Sequence, residues 1–294
     1  MQHSELQAAF ITHFGQAPSF LVEAPGRVNL IGDHTDYNNL PVLPMALRQR
    51  VRLVVRPRDD KEVNVVPLAA GLDPVSFAAG RDVPVAAHGH WSNYVRGPVQ
   101  AVARLGGEPA RGFDAILASE VPIAAGLSSS SALVVAVTLA ALQLRGLELD
   151  PLEVASLAAG AERFVGTQGG DMDHTISACG LAGHALQIRF SPLRFTPLPV
   201  PSGWRFVVAH SGEVAEKSGA READYNARVR DCARALEQLR GLDAVPPDAT
   251  YPSLVAAYSE ADLLQLARTT LERTILRRFR HTVTELSLIH ISEP

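Results

Sequence analysis

The chain has 294 residues, 47% hydrophobic and 20% charged, enough to bury a large core in one large domain or two lobes. Its formal charge of −4 gives no electrostatic basis for a nucleic-acid or anionic-membrane partner. Two cysteines, Cys179 and Cys232, fit a reduced, cytoplasmic compartment rather than a disulfide framework.

Residues 1–14 carry His3, Glu5, Gln7 and His13 through their apolar positions and are not a secretory signal. Residues 20–22 read as a strand. It leads into Ala24-Pro25-Gly26-Arg27-Val28-Asn29-Leu30-Ile31-Gly32-Asp33-His34-Thr35-Asp36-Tyr37-Asn38. Gly26 and Gly32 permit positive φ and close approach of a ligand. Arg27, Asp33, His34 and Asp36 supply the forked donors and acceptors that a hydroxyl-rich ligand needs. A polar turn around a satisfied histidine would read the same way. Further strands are expected over residues 51–55 and 63–66, around Asp59-Asp60.

Residues 121–132, Val-Pro-Ile-Ala-Ala-Gly-Leu-Ser-Ser-Ser-Ser-Ala, run straight into an apolar helical stretch. Unpaired backbone N–H groups, serine hydroxyls and the helix dipole then converge as a phosphate cradle. A serine-capped core helix is the plainer alternative. The apolar run 132–144 contains Thr138 and Gln143 and is too short to span a bilayer. The only lysines, Lys61 and Lys217, follow Asp60 and Glu216, so neither serves a Walker loop or a protein-kinase strand. No Gly-x-Gly-x-x-Gly follows a strand, which leaves a Rossmann site without support.

Asp150 as N-cap, Pro151 and Glu153 predict a capped helix, with Glu162 near its end and Asp173 past a glycine-rich turn. One carboxylate could hold a divalent cation and the other take a proton, or both could be solvated. Leu186, Ile188 and Phe190 alternate as a strand. The proline-rich stretch 192–201 is the candidate boundary, and a new strand is expected at 204–209. Tyr225, Val229, Cys232, Leu236 and Leu239 form a helical stripe, with Arg228, Arg230, Arg234 and Arg240 off it and solvated. Helices and strands without strict βαβ alternation indicate an α+β fold.

Taken in order from about residue 20 to 285, these segments resemble the galactokinase branch of the GHMP sugar and metabolite kinases. The first looks like that family's sugar signature, 126–132 like its ATP-phosphate loop, and 169–173 like the loop carrying its catalytic Asp. Residues 91–97 resemble the segment near the adenine pocket, 224–228 a sugar-contacting helix start, and 277–285 a late family helix. Residues 43–46 and 190–194 look closest to the sub-branch that includes N-acetylgalactosamine kinases.

The resemblance implies a two-lobed GHMP kinase fold: a ribosomal protein S5 domain 2-like N-terminal lobe over 1–198 and an incomplete ferredoxin-like C-terminal lobe over 199–285. Residues 286–294 then look like a non-native tail. It implies a cytoplasmic, monomeric sugar 1-kinase using ATP and Mg²⁺ on galactose or a related hexose, with no nucleic-acid or membrane partner. Arg27 and Asp173 would be catalytic, and Asp33, His34, Asp36, Gly170 and Tyr225 would bind sugar. Trp91, Gly126, Leu127, Ser128, Ser129 and Ser130 would bind nucleotide, and Ser130 and Glu162 the metal. The same scaffold could instead sense sugar and ATP without catalysis. Asp33 stands where the family has Glu, while Asp171 and His174 replace a small residue and Gln. Asp171-Met172-Asp173 also matches the Asp-x-Asp metal motif of nucleotide-sugar glycosyltransferases, but the Rossmann-like context that motif needs is missing.

Overall fold

The computed structural model describes residues 2–106, 110–167, 169–212 and 222–292. Its framework is a mixed sheet built on β2 (Leu43–Pro57), long enough to take different neighbours along its length. The upper half of β2 pairs with β5 (Phe113–Ser119), and β1 (Phe20–Ile31) runs antiparallel along nearly all of it. The strand order is β4-β3-β5-β2-β6-β7, with β1 joined to β2. Here β3 is Glu62–Pro67, β4 Val75–Ala78, β6 His184–Arg189 and β7 Arg194–Pro199. Only β3 and β5 pair in parallel. This mixed sheet with helices fits the expected α+β class.

Helices α2 (Asn93–Arg104), α3 (Ser129–Leu144), α4 (Pro151–Glu162) and α5 (Met172–Cys179) pack with the sheet around the main apolar cluster. The core of α3 is Ala132 to Val137, each buried, which explains an apolar run with no polar face. Helix α1 (His3–Phe14) covers Val54 and Ile116 with Leu6 and Phe10 as a separate cluster. The capping box of α4 forms as the sequence predicts: Glu153 N donates to Asp150 Oδ1 at 2.9 Å, and Asp150 N to Glu153 Oε2 at 2.9 Å.

The remaining helices, α6 (Glu222–Arg240), α7 (Tyr251–Ala257), α8 (Glu260–Thr270) and α9 (Arg273–Ser292), build a second core around Leu239, Leu254, Ile275 and Phe279. Leu40, Ile31 and Tyr37, from the end of β1 and the turn after it, join this core. The sugar-signature segment is therefore clamped between the two halves. Among the described residues no helix is long and apolar enough to cross a membrane.

Several expectations change. The strand at 20–22 continues to Ile31, so Arg27 is a strand residue, flanked by register shifts at 25/27 and 29/31. The stretch 192–201, read only as a candidate boundary, contains β7; Pro197 and Pro199 are accommodated because β7 is the sheet's edge. No strand forms at 204–209. Trp204, Phe206, Val207 and Val208 are exposed there, because strand propensity is not realised without a paired neighbour. Described residues after 221 form helices joined by turns and contain no strand. Residues 286–292 continue α9, and Leu286 is buried in the second core.

Candidate active site

The loop before α3 places Ala124, Gly126 and Ser128 in left-handed conformations at φ 54, 74 and 57°. Left-handed residues in a loop that opens a long helix are a backbone setting suited to an anion-binding nest. Left-handed non-glycine residues cost about 1–3 kcal/mol each and persist only where their surroundings hold them. Arg27 is part of that hold: its backbone N donates to Leu127 O at 3.1 Å and its Nη1 to Gly126 O at 2.6 Å. Gly26 permits the contact, since a Cβ there would lie 2.7 Å from Leu127 O. That glycine thus serves loop-to-strand packing rather than ligand approach.

Asp173 sits in the first turn of α5, 5% exposed. Arg27 Nε donates to its Oδ1 at 2.6 Å and Ser128 Oγ to its Oδ2 at 2.6 Å. The serine-cap reading fails here, because Ser128 makes no cap hydrogen bond and spends its hydroxyl on Asp173. A carboxylate oriented at both oxygens still has lone pairs for a hydroxyl donor.

Around Asp36, Gly170 lies so close that a Cβ on it would be 2.3 Å from Asp36 Oδ2 and 2.8 Å from Tyr37 N. Gly169 approaches Tyr225 Oη at 3.7 Å by the same measure. The His34 ring faces Tyr37 and Tyr225 at 5.7 and 5.5 Å, and Tyr37 Oη and His34 Nδ1 share a 3.1 Å hydrogen bond. Burial holds the His34 pKa below its ordinary value; Asp33 opposes this, while Arg228, His281 and Arg278 add to it. Burial, then the charges of Asp36, Asp173 and Glu162, pushes the Tyr225 hydroxyl far up, so it stays a donor. Asp36 is buried and Asp33 exposed.

The loop's backbone is fixed by α9, a role the sequence reading did not assign. Gly32 N and Asp33 N donate to Glu285 Oε1 at 2.9 and 3.2 Å, and His281 Nε2 donates to Asp33 O at 2.8 Å. Gly32 has φ 94°, and a Cβ there would meet Pro41 O at 2.9 Å, so the turn needs glycine.

Glu162, 6% exposed, accepts from Ser131 Oγ at 3.2 and 3.3 Å. Its Oε2 lies 3.0 Å from His174 Nε2, without the angle for a hydrogen bond. The hydroxyl that meets Glu162 is that of Ser131, a residue the sequence reading did not assign. Ser130 makes no side-chain hydrogen bond among the described residues, leaving its oxygen for another ligand. A carboxylate and hydroxyls beside a phosphate nest fit a hard cation that takes its other ligands from phosphate and water. No group of three metal-ligating side chains exists among the described residues. Trp91 packs on the same cluster as Leu127, with its Nε1 buried and without a hydrogen-bond partner. Of the arginines expected to be solvated, Arg228 is half-buried and Arg240 Nε donates to Ala249 O at 2.7 Å.

Comparison with known proteins gives a consistent placement. The galactokinase galactose-binding signature matches residues 8–57, and the GHMP kinases N terminal domain matches residues 93–181. Galactokinase from Chloroflexus aggregans is 42% identical over 238 residues, 81% of this chain and 60% of that protein. Galactokinase from Roseiflexus sp. (strain RS-1) is 39% identical over 284 residues, 96% of this chain and 68% of that protein. The crystal structure of Lactococcus lactis galactokinase complexed with galactose gives a TM-score of 0.79 at 25% identity, covering 98% of this chain and 72% of that one. Methanococcus jannaschii mevalonate kinase, 14% identical with a TM-score of 0.51 over 94% of this chain and 80% of its own, shares the fold alone. The chain spans 60% of the length of its Chloroflexus relatives.

Proposed function

Because the chain belongs to the galactokinase branch of the GHMP kinases, we propose that it transfers the γ-phosphoryl group of ATP to the anomeric hydroxyl of galactose, yielding galactose 1-phosphate and ADP. The observation that carries this reading is Asp173, held between Arg27 and Ser128 directly beneath the phosphate nest. Such a carboxylate can orient the anomeric hydroxyl and accept its proton as the oxygen attacks. Arg27, already paired with Asp173, also faces the charge that develops on the moving phosphoryl group.

Phosphoryl transfer needs alignment and charge neutralisation more than covalent chemistry, so a small set of groups suffices. The backbone of 126–129 binds the phosphates, and Trp91 lies against the nucleotide base. Ser130 and Glu162 would hold Mg²⁺, which when bound neutralises the β- and γ-phosphate oxygens. Asp33, His34, Asp36, Gly170 and Tyr225 bind the sugar. His34, kept neutral by burial, can both donate to and accept from sugar hydroxyls. A hexose with mismatched hydroxyls leaves buried polar groups of the site unsatisfied, which is the basis for selection. The enzyme is further proposed to act as a cytoplasmic monomer.

The test is a coupled ADP-release assay with ATP and Mg²⁺ across galactose, N-acetylgalactosamine and glucose. Galactose-dependent turnover is expected. Turnover with N-acetylgalactosamine in preference would reassign the substrate, and binding of sugar and nucleotide with no turnover would mark a sensor.

A further inference from the structure

A concave site opens beside the sugar-signature loop, between helices α6 and α9 and the loop residues Asp33, His34 and Tyr37. It is a pocket of about 300 Å³, at the small end of ligand sites. Arg228 from α6 and Arg277, Arg278 and Arg280 from α9 line it, with Asp33 as the lining carboxylate. Four guanidinium groups against one carboxylate is unusual in a chain whose net charge is −4.

Among the described residues the arginines are only weakly neutralised. Arg228, Arg277 and Arg280 make no hydrogen bond or ion pair among the described residues. Arg278 comes only within 4.0 Å of Asp231 Oδ2, and its Nε is buried without a hydrogen-bond partner. Converging like charges repel, and an orphaned buried donor costs about 1–3 kcal/mol. Both costs are removed by an anion in the pocket. The positive field reaches the neighbouring loop: after burial, Arg228, His281 and Arg278 are among the causes that lower the His34 pKa.

We infer that this pocket is a binding site for a small phosphate-bearing anion, distinct from the loop before α3, with which it shares no lining residue. A phosphate dianion offers three acceptor oxygens to forked guanidinium donors on two facing helices, which a monocarboxylate cannot match. The chemistry suits either free phosphate or the phosphate group of a small phosphorylated metabolite. An occupant would touch α9 and the Asp33–His34 segment at once, so its binding is coupled to sugar binding. The site does not depend on the phosphoryl-transfer reading.

The test is calorimetric titration of the purified chain with inorganic phosphate against chloride at matched ionic strength, in parallel with a hexose 6-phosphate. Arg277 and Arg280 are exposed, so R277Q/R280Q should fold normally. The expected result is saturable one-to-one phosphate binding that weakens by about tenfold for each charge-assisted hydrogen bond lost in the double variant. Tighter binding of the hexose phosphate would identify a phosphorylated metabolite as the ligand; equal affinity would identify free phosphate. Absence of saturable binding above chloride would overturn the site. So would unchanged affinity in R277Q/R280Q, which would move the anion to the nest before α3.

Discussion

The dependence of the sugar loop on α9 can be tested through Glu285. One carboxylate oxygen accepts from Gly32 N at 2.9 Å and Asp33 N at 3.2 Å. Gly32 is buried, so its N–H has little access to replacement water, whereas Asp33 is exposed and can be re-solvated. The loss in Glu285→Ala is therefore dominated by one hydrogen bond to a charged acceptor, about 1.5–3 kcal/mol. If that energy holds the loop in its sugar-binding shape, galactose affinity falls about ten- to a hundredfold. Glu285→Gln keeps an acceptor oxygen and loses only the charge, so it should recover most of the affinity. Calorimetric titration with galactose and, separately, with nucleotide would resolve this. The expected order for galactose is wild type, Gln, then Ala, with nucleotide affinity within about twofold throughout. Equal galactose affinity in wild type and Glu285→Ala would refute the positioning role. Failure of wild type itself to bind galactose would count against the proposed substrate instead.

Gly170→Ala places a methyl 2.3 Å from Asp36 Oδ2, so Asp36 must move by the order of an ångström; turnover should drop by about 10²-fold, and unchanged galactose kinetics would exclude that contact from the sugar site. His34 titrates below its ordinary 6.5 in the folded chain, so the unfolded chain binds its proton first as pH falls. Its contribution to stability is present above 6.5 and is lost as pH drops from there toward the folded-state pKa. Thermal unfolding from pH 7.5 to 5 should show a steeper loss for wild type than for His34→Asn, and parallel curves would contradict the burial argument. Residues 204–208 expose Trp204, Phe206 and Val207, the last 91% exposed, without a strand partner. Phe206→Glu with Val208→Glu should raise soluble yield without lowering the melting temperature, whereas a large fall in melting temperature would show that the segment is packed.

Local chemistry was legible in the sequence wherever neighbours within a few residues determine it. The Asp150–Glu153 capping box, the apolar run of α3 and the α6 stripe carrying Cys232 and Leu239 all formed as read. The turn before α3 was legible too, where Gly126 takes the positive φ that a flexible glycine allows. Contacts across the chain were not. Nothing near Gly32 announces that its N–H meets a carboxylate 253 residues away, and Gly170 gives no local sign that it abuts Asp36. Ser131 reaches Glu162 because α3 starts one residue into the serine run, which fixes the facing residue by helical phase. Strand assignment failed in both directions for one reason. Proline-containing β7 forms because β6 pairs with it at the edge, and 204–209 does not because no strand lies beside it.

The central claim is that Asp173 acts on the anomeric hydroxyl while its neighbours bind. The most direct measurement is the pair of turnover and galactose dissociation constant for Asp173→Asn against wild type. The change preserves shape and the contacts with Arg27 and Ser128 in outline, but removes a ready proton acceptor. Turnover should fall by about 10²-fold or more with galactose affinity changed by only a few fold. Turnover unchanged in Asp173→Asn would contradict the account.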